Sequence, residues 1–200
     1  MPAPPSREVE NVPDRPQHHV PQQQVPQPSP TRLTAFSGSP VVVGIVPDQP
    51  DLVVLTALSL SEAMGRAPLF LAYVDTERYT VEELADGSVR HAQLDPDVVD
   101  DSWRETDARI RRHLAETLDG RGVDWEFRYL AGSPQRSLTH LARAVDAAAI
   151  VVGTHAPGAE TRLHEFFEGS VAVQLTHHQH RPVLVVPLSV VDWKESGTWR

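Results

Sequence analysis

The chain has no cysteine among its 200 residues, which excludes disulfides, thiolate zinc sites and thiol chemistry. Its only lysine is Lys194, near the C-terminus, so there is no Walker-type lysine to hold a nucleotide phosphate. No apolar run approaches membrane-spanning length, and Met1–Glu10 contains no apolar signal-peptide core. A cytoplasmic protein without a membrane partner is the expectation. A basic surplus is also missing. The formal net charge of −9 argues against a nucleic-acid partner, which requires a positive face. No Gly-x-Ser-x-Gly elbow and no identifiable acid–base pair occurs, so the expectation is a protein that is not an enzyme.

Length allows one domain with extensions. Residues 1–38 hold nine of the 18 prolines and the tract His18-His19-Val20-Pro21-Gln22-Gln23-Gln24-Val25-Pro26-Gln27-Pro28. They lack the apolar side chains that offset ordering entropy, and are read as a disordered Pro/Gln-rich tail with polyproline II character. Their three basic residues (Arg7, Arg15, Arg32) balance three acidic ones (Glu8, Glu10, Asp14), so the acidity belongs to residues 39–200. A polyphosphate would have to bind against that field.

From Pro40 the texture becomes alternating apolar runs and amphipathic segments. Val41–Val46 reads as a strand covered on both faces, followed by a turn in which Asp48 or Asp51 can cap a helix. Leu52, Leu55, Leu58 and Ala63 give that helix an inner stripe. Pro68–Val74 is a second strand, and residues 76–100 read as an acidic loop with at most one helical turn. Asp101–Leu118 is a helix with an approximate stripe of Trp103, Ala108, Ile110, Leu114 and Leu118, and Val123–Leu130 alternates as a third strand. Ser133-Pro134 opens a helix whose inner face is Leu138, Leu141, Ala142 and Val145. Ala148–Val152 is a fourth strand, Gly169 to about His178 the last helix, and Val183–Pro187 a fifth strand. Alternation of this kind specifies an α/β fold with a parallel sheet, helices on both faces and right-handed crossovers.

Between the last two strands the chain runs through glycines into a helix N-terminus at Gly169-Ser170, a layout suited to an anion because free N–H groups and the helix dipole point there. Val43-Gly44-Ile45, Gly132-Ser133-Pro134, Ile150-Val151-Val152-Gly153-Thr154, and Gly169-Ser170-Val171 through Arg181–Pro187 together resemble the universal stress protein family, over roughly residues 40 to 188. The resemblance implies a domain at 39–188 between the tail at 1–38 and a C-terminal tail at 189–200. It implies a five-stranded parallel sheet of order 3-2-1-4-5, similar to the adenine nucleotide alpha hydrolases. It also implies a homodimer through the fifth strand, Val183–Pro187.

One subclass of that family binds ATP, through an Asp ending strand one and a Gly-x-x-Gly-x9-Gly-Ser/Thr pattern after strand four. Strands one and four flank the switch point of such a sheet. The positions that the resemblance picks out for a nucleotide are Val46, Gly153, Gly158, Gly169 and Ser170, to which the residues themselves add Asp48 as a substitute acid and Arg162 as a positive charge in the loop. Val46 stands where Asp is expected, with Asp48 two residues on. Ala156 replaces the second glycine, Pro157 removes a donor, and the stretch to Gly169 is lengthened.

His164-Glu165-Phe166-Phe167-Glu168 lacks the second histidine of a zinc-protease helix, and His177-His178-Gln179-His180 suits a helix C-terminus better than a metal. No metal is expected. The reading is a stress-response regulatory or protective factor acting by binding as a homodimer, not an efficient ATP binder. The alternatives are an ATP-binding member with its site at the tips of strands one and four, and a protein-docking module acting through the N-terminal tail.

Overall fold

Three consecutive valines without a polar break have no face to offer solvent, and Val41, Val42 and Val43 are fully buried at the centre of the sheet. The computed structural model describes residues 29–94, 102–154 and 171–188. In chain order the elements are β1 (Val41–Ile45), α1 (Leu52–Ala63), β2 (Leu69–Asp75), β3 (Arg78–Glu83), β4 (Val89–Gln93), α2 (Ser102–Leu118), β5 (Trp125–Ala131), α3 (Pro134–Ala144), β6 (Ala149–Gly153), α4 (Val171–His178) and β7 (Val183–Val186). The main sheet runs β5-β2-β1-β6-β7 with every pair parallel. Counted within that sheet alone, the order is the expected 3-2-1-4-5.

Alternation along β1 divides the core. Val41, Val43 and Ile45 join Val53, Val54, Leu58, Ile110, Leu114 and Phe127 in the layer beneath α1 and α2. Val42 faces the other way, with Ala72, Leu138, Leu141, Ile150 and Leu175 beneath α3 and α4. Each fully buried valine contributes roughly 1.5–3 kcal/mol relative to exposure.

Several expectations change. The buried stripe of α1 is Val53, Val54, Ala57, Leu58 and Ser61, while Leu52 and Leu55 are exposed at 48% and 39%. This helix is apolar nearly all round, so spacing alone does not fix which side faces the sheet. Ala63 on α1 and Ala108 on α2 are likewise exposed. Neither Asp51 nor Ser133 makes a side-chain cap bond, although both occupy the N-cap position.

Residues 78–93 are not a loop but an antiparallel hairpin, β3–β4. Its turn is built by Asp86, whose carboxylate accepts from the Ser88 backbone N–H (3.0 Å) and hydroxyl (2.6 Å), and by Gly87 at φ +83°. Asp-Gly between two short alternating runs is the hairpin signal, obscured here by the acidity around it. The last ten residues of the expected tail also differ. Pro30–Arg32 form a 3-10 turn, Thr34 donates to Asp146 (3.1 Å), and the Gly38 N–H bonds the Met64 carbonyl (2.8 Å). Residues 1–28 and the C-terminal tail at 189–200 lie outside the described residues.

Candidate functional site

At the C-terminal end of β1 the chain leaves the sheet through Val46-Pro47-Asp48-Gln49-Pro50-Asp51 before entering α1. Two prolines limit the turn, and Asp48 adopts φ +59°, a conformation that Asp tolerates better than most residues. A cavity of about 370 Å³ lies between this turn and one face of α2. Its apolar wall is Ile45, Val54, Ile110 and Leu114, and its polar rim is Asp48, Asp51, Arg109 and His113.

The rim is organised in pairs. Arg109 and His113 lie four residues apart on α2, so they share a face. Arg109 meets Asp48 at 3.6 Å, and His113 Nε2 meets Asp51 Oδ1 at 2.6 Å. The Asp51 carboxylate thus reaches across to α2 instead of capping its own helix. All four side chains remain substantially exposed, so these pairs are screened and each is worth under about 1 kcal/mol. They shape the mouth without sealing it.

Beside this mouth, at the tips of β2 and β5, Tyr73 and Tyr129 stack edge to face with centroids 5.3 Å apart. The Tyr129 hydroxyl donates to Asp75 Oδ2 at 2.6 Å. Burial, then the Asp75 carboxylate, pushes the Tyr129 phenol far above its ordinary value, and burial followed by Asp75 and Glu77 raises Tyr73. A second cavity, about 360 Å³, opens at the β5–α3 corner beneath the hairpin, between Thr80–Glu83 and Ala131–Ser137.

Of the residues implied for a nucleotide, Val46 and Asp48 line the first cavity, Val46 half exposed at its edge. Gly153 ends β6, the neighbour of β1 at the switch point, but a Cβ there would lie 2.8 Å from Leu188 Cδ1 and 3.0 Å from Val53 Cγ2. Its missing side chain makes room for packing, and Leu188 is held there by its N–H to the Thr154 hydroxyl, 2.8 Å. Gly158, Arg162, Gly169 and Ser170 lie outside the described residues, as do Ala156 and Pro157. Asp51, Arg109 and His113 were not read as site residues from the sequence. The i, i+4 spacing of Arg109 and His113 was visible, but nothing in it said which surface they would meet. Among the described residues no cluster of three or more metal-ligating side chains exists, and no helix is long and apolar enough to cross a membrane.

The sheet and the cavity at the tip of its central strand lie within the span of a known sequence family. The universal stress protein family model covers residues 39–187. The chain belongs to the universal stress protein family. Solved universal stress proteins share its fold. One in complex with cAMP is 23% identical, covering 76% of this chain and 99% of its own, at a TM-score of 0.53. One from Burkholderia pseudomallei is 26% identical, covering 75% and 96%, also at 0.53. One from Archaeoglobus fulgidus is 19% identical, covering 74% and 98%, at 0.51. Comparison with curated proteins gives no match. In this universal stress protein the apolar residue Val46 directly follows β1, and the acidic side chains nearest that tip are Asp48 and Asp51.

Proposed function

We propose that this universal stress protein acts in the stress response by binding as a homodimer, without catalytic turnover. Its ligand site is the cavity at the tip of β1, which takes an adenine nucleoside or mononucleotide at least as well as ATP. The observation that carries this reading is the composition of that cavity: about 370 Å³ with an apolar wall of Ile45, Val54, Ile110 and Leu114, and carboxylates at the rim. Ribose hydroxyls are donors, and the exposed Asp48 carboxylate at the rim offers acceptor oxygens. A triphosphate gains little here, because two carboxylates stand beside one guanidinium at the mouth and the chain carries a net charge of −9. The sequence changes at Ala156 and Pro157 weaken the phosphate side further.

Dimerisation is supported by β7. Among the described residues it pairs only with β6, and Leu184 and Val185 are exposed at 40% and 39%. An apolar edge strand of this kind is normally paired or covered. The absence of turnover is supported by the sequence, which has no Gly-x-Ser-x-Gly elbow and no Walker-type lysine.

Isothermal titration with adenosine, AMP, cAMP and ATP tests the site; cAMP is included because one protein of the same fold was solved with it. Adenosine and AMP are expected to bind within about tenfold of ATP, a difference of no more than about 1.4 kcal/mol. ATP binding more than about a hundredfold tighter than adenosine, or no heat from any adenine compound, overturns the reading.

A further inference from the structure

The hairpin β3–β4 rests on the β5–α3 corner and on the start of α2, and one polar contact fastens its two strands where they meet that surface. The Arg78 side chain is buried, and its Nε donates to Nδ1 of His91 at 2.8 Å. An imidazole accepts at Nδ1 only when that nitrogen carries no proton, so His91 is held neutral with its hydrogen on Nε2. The ring lies edge-on to Trp103 of α2 (centroids 4.8 Å apart) and tilted against Tyr129 of β5 (5.4 Å). The Arg78 guanidinium sits 5.7 Å from the Trp103 ring centroid. Further along, Thr80 donates to the Ala131 carbonyl (2.9 Å), and β3 forms one wall of the open 360 Å³ cleft at the start of α3.

We propose that the β3–β4 hairpin is an acid-loosened lid on the β5–α3 corner: the Arg78–His91 hydrogen bond clasps its two strands to each other, and losing it frees the His91 ring from Trp103 and Tyr129, which seat β4 on the body of the domain. Protonating Nδ1 replaces an acceptor with a donor facing another donor, and places an imidazolium against a guanidinium. The bond is lost and the contact becomes repulsive.

The surroundings favour this response. Burial, then Arg78, lowers the His91 pKa, and only Asp75 at the end of β2 opposes them. Asp75 is already engaged by the Tyr129 hydroxyl and the Glu77 N–H. Tyr129 and Tyr73 stay neutral across the acid range because both phenols are raised. On α2, the Arg104 guanidinium lies 4.9 Å from the Trp103 ring and adds positive charge. On β4 itself, Arg90 pairs with Glu82 (3.1 Å). On α3, His140 contacts Leu84 O (3.2 Å) and Glu83 (3.4 Å) at the far end of the hairpin. The sign for His91 is that of a depressed histidine. The latch is at full strength above the ordinary value near 6.5 and is lost as pH falls below it.

Amide hydrogen exchange on the full chain tests the lid, with protection factors corrected for intrinsic rates at about pH 7.5 and about pH 5, where most carboxylates remain ionised. Protection of the β3–β4 amides should fall on acidification, by up to about tenfold for each unit of depression of the His91 pKa, while β1 and β6 stay protected. His91→Asn keeps an acceptor at the Nδ1 position and cannot be protonated there, so its hairpin protection should not fall. Equal wild-type protection at both pH values, or the same acid loss in His91→Asn, overturns the lid. An independent readout needs no variant: the His91 ring should titrate below about 6.5 from the Nε2–H tautomer by NMR, and a midpoint at or above that value also overturns it.

Discussion

At the scale of single residues, the ends of the strands carry the ionisable chemistry. Asp75 closes β2 and collects the Tyr129 hydroxyl, which fixes the aromatic group at the sheet's tip. Because the Tyr129 phenol is raised, the folded protein holds that proton where the unfolded chain has released it. Stability from this group is therefore complete below the ordinary value of 10.0 and declines as pH rises above it. Tyr129→Phe should cost about 1 kcal/mol at neutral pH through the lost bond, and should flatten the alkaline loss measured by urea unfolding between about pH 8 and 11. An unchanged alkaline slope would show that other groups set it. The same scale explains what the sequence concealed. Asp51 and His113 are 62 residues apart, and their contact depends on α2 crossing above the β1–α1 turn.

At the scale of elements, the hairpin is the part that departs most from expectation. Its Asp-Gly turn was legible in residues 86–87, but its strands alternate polar and apolar residues weakly, and acidic side chains dominate the segment. What holds it is tertiary. Gly87 approaches α3 so closely that an added Cβ would meet Leu141 Cδ1 at 2.6 Å and Ala144 Cβ at 3.1 Å, with φ already at +83°. Gly87→Ala should destabilise by about 1–3 kcal/mol and raise exchange in the hairpin amides first, leaving β1 protected. Uniform loss across the sheet would mean that the hairpin and core unfold as one unit. The opposite lesson comes from β1, where three valines in succession allowed only one environment.

At the scale of the whole molecule, the sheet has two unlike margins. β5 is partly screened by the hairpin, through the Thr80 bond to Ala131. β7 presents Leu184 and Val185 outward, so the homodimer is proposed at that margin. Light scattering should give about twice the 22.1 kDa chain mass at micromolar concentration. Val185→Glu should return it to the monomer mass, since a buried unpaired carboxylate at an edge-to-edge contact costs several kcal/mol, while the fold of the monomer persists. A wild-type monomer, or a Val185→Glu dimer, would count against β7.

The sequence by itself determined the fold class, the strand order through its family motifs, and the identity of the central strands. These follow from local patterns, because a continuous apolar run or a Gly-Ser-Pro turn has few structures open to it. Only the tertiary structure decided which face of α1 is buried, that Leu188 fills the space beside Gly153, that Arg109 and His113 complete the cavity at β1, and that Arg78 meets His91. Each of these depends on elements distant in the chain being brought together by burial of the two core layers, and no local pattern carries that information.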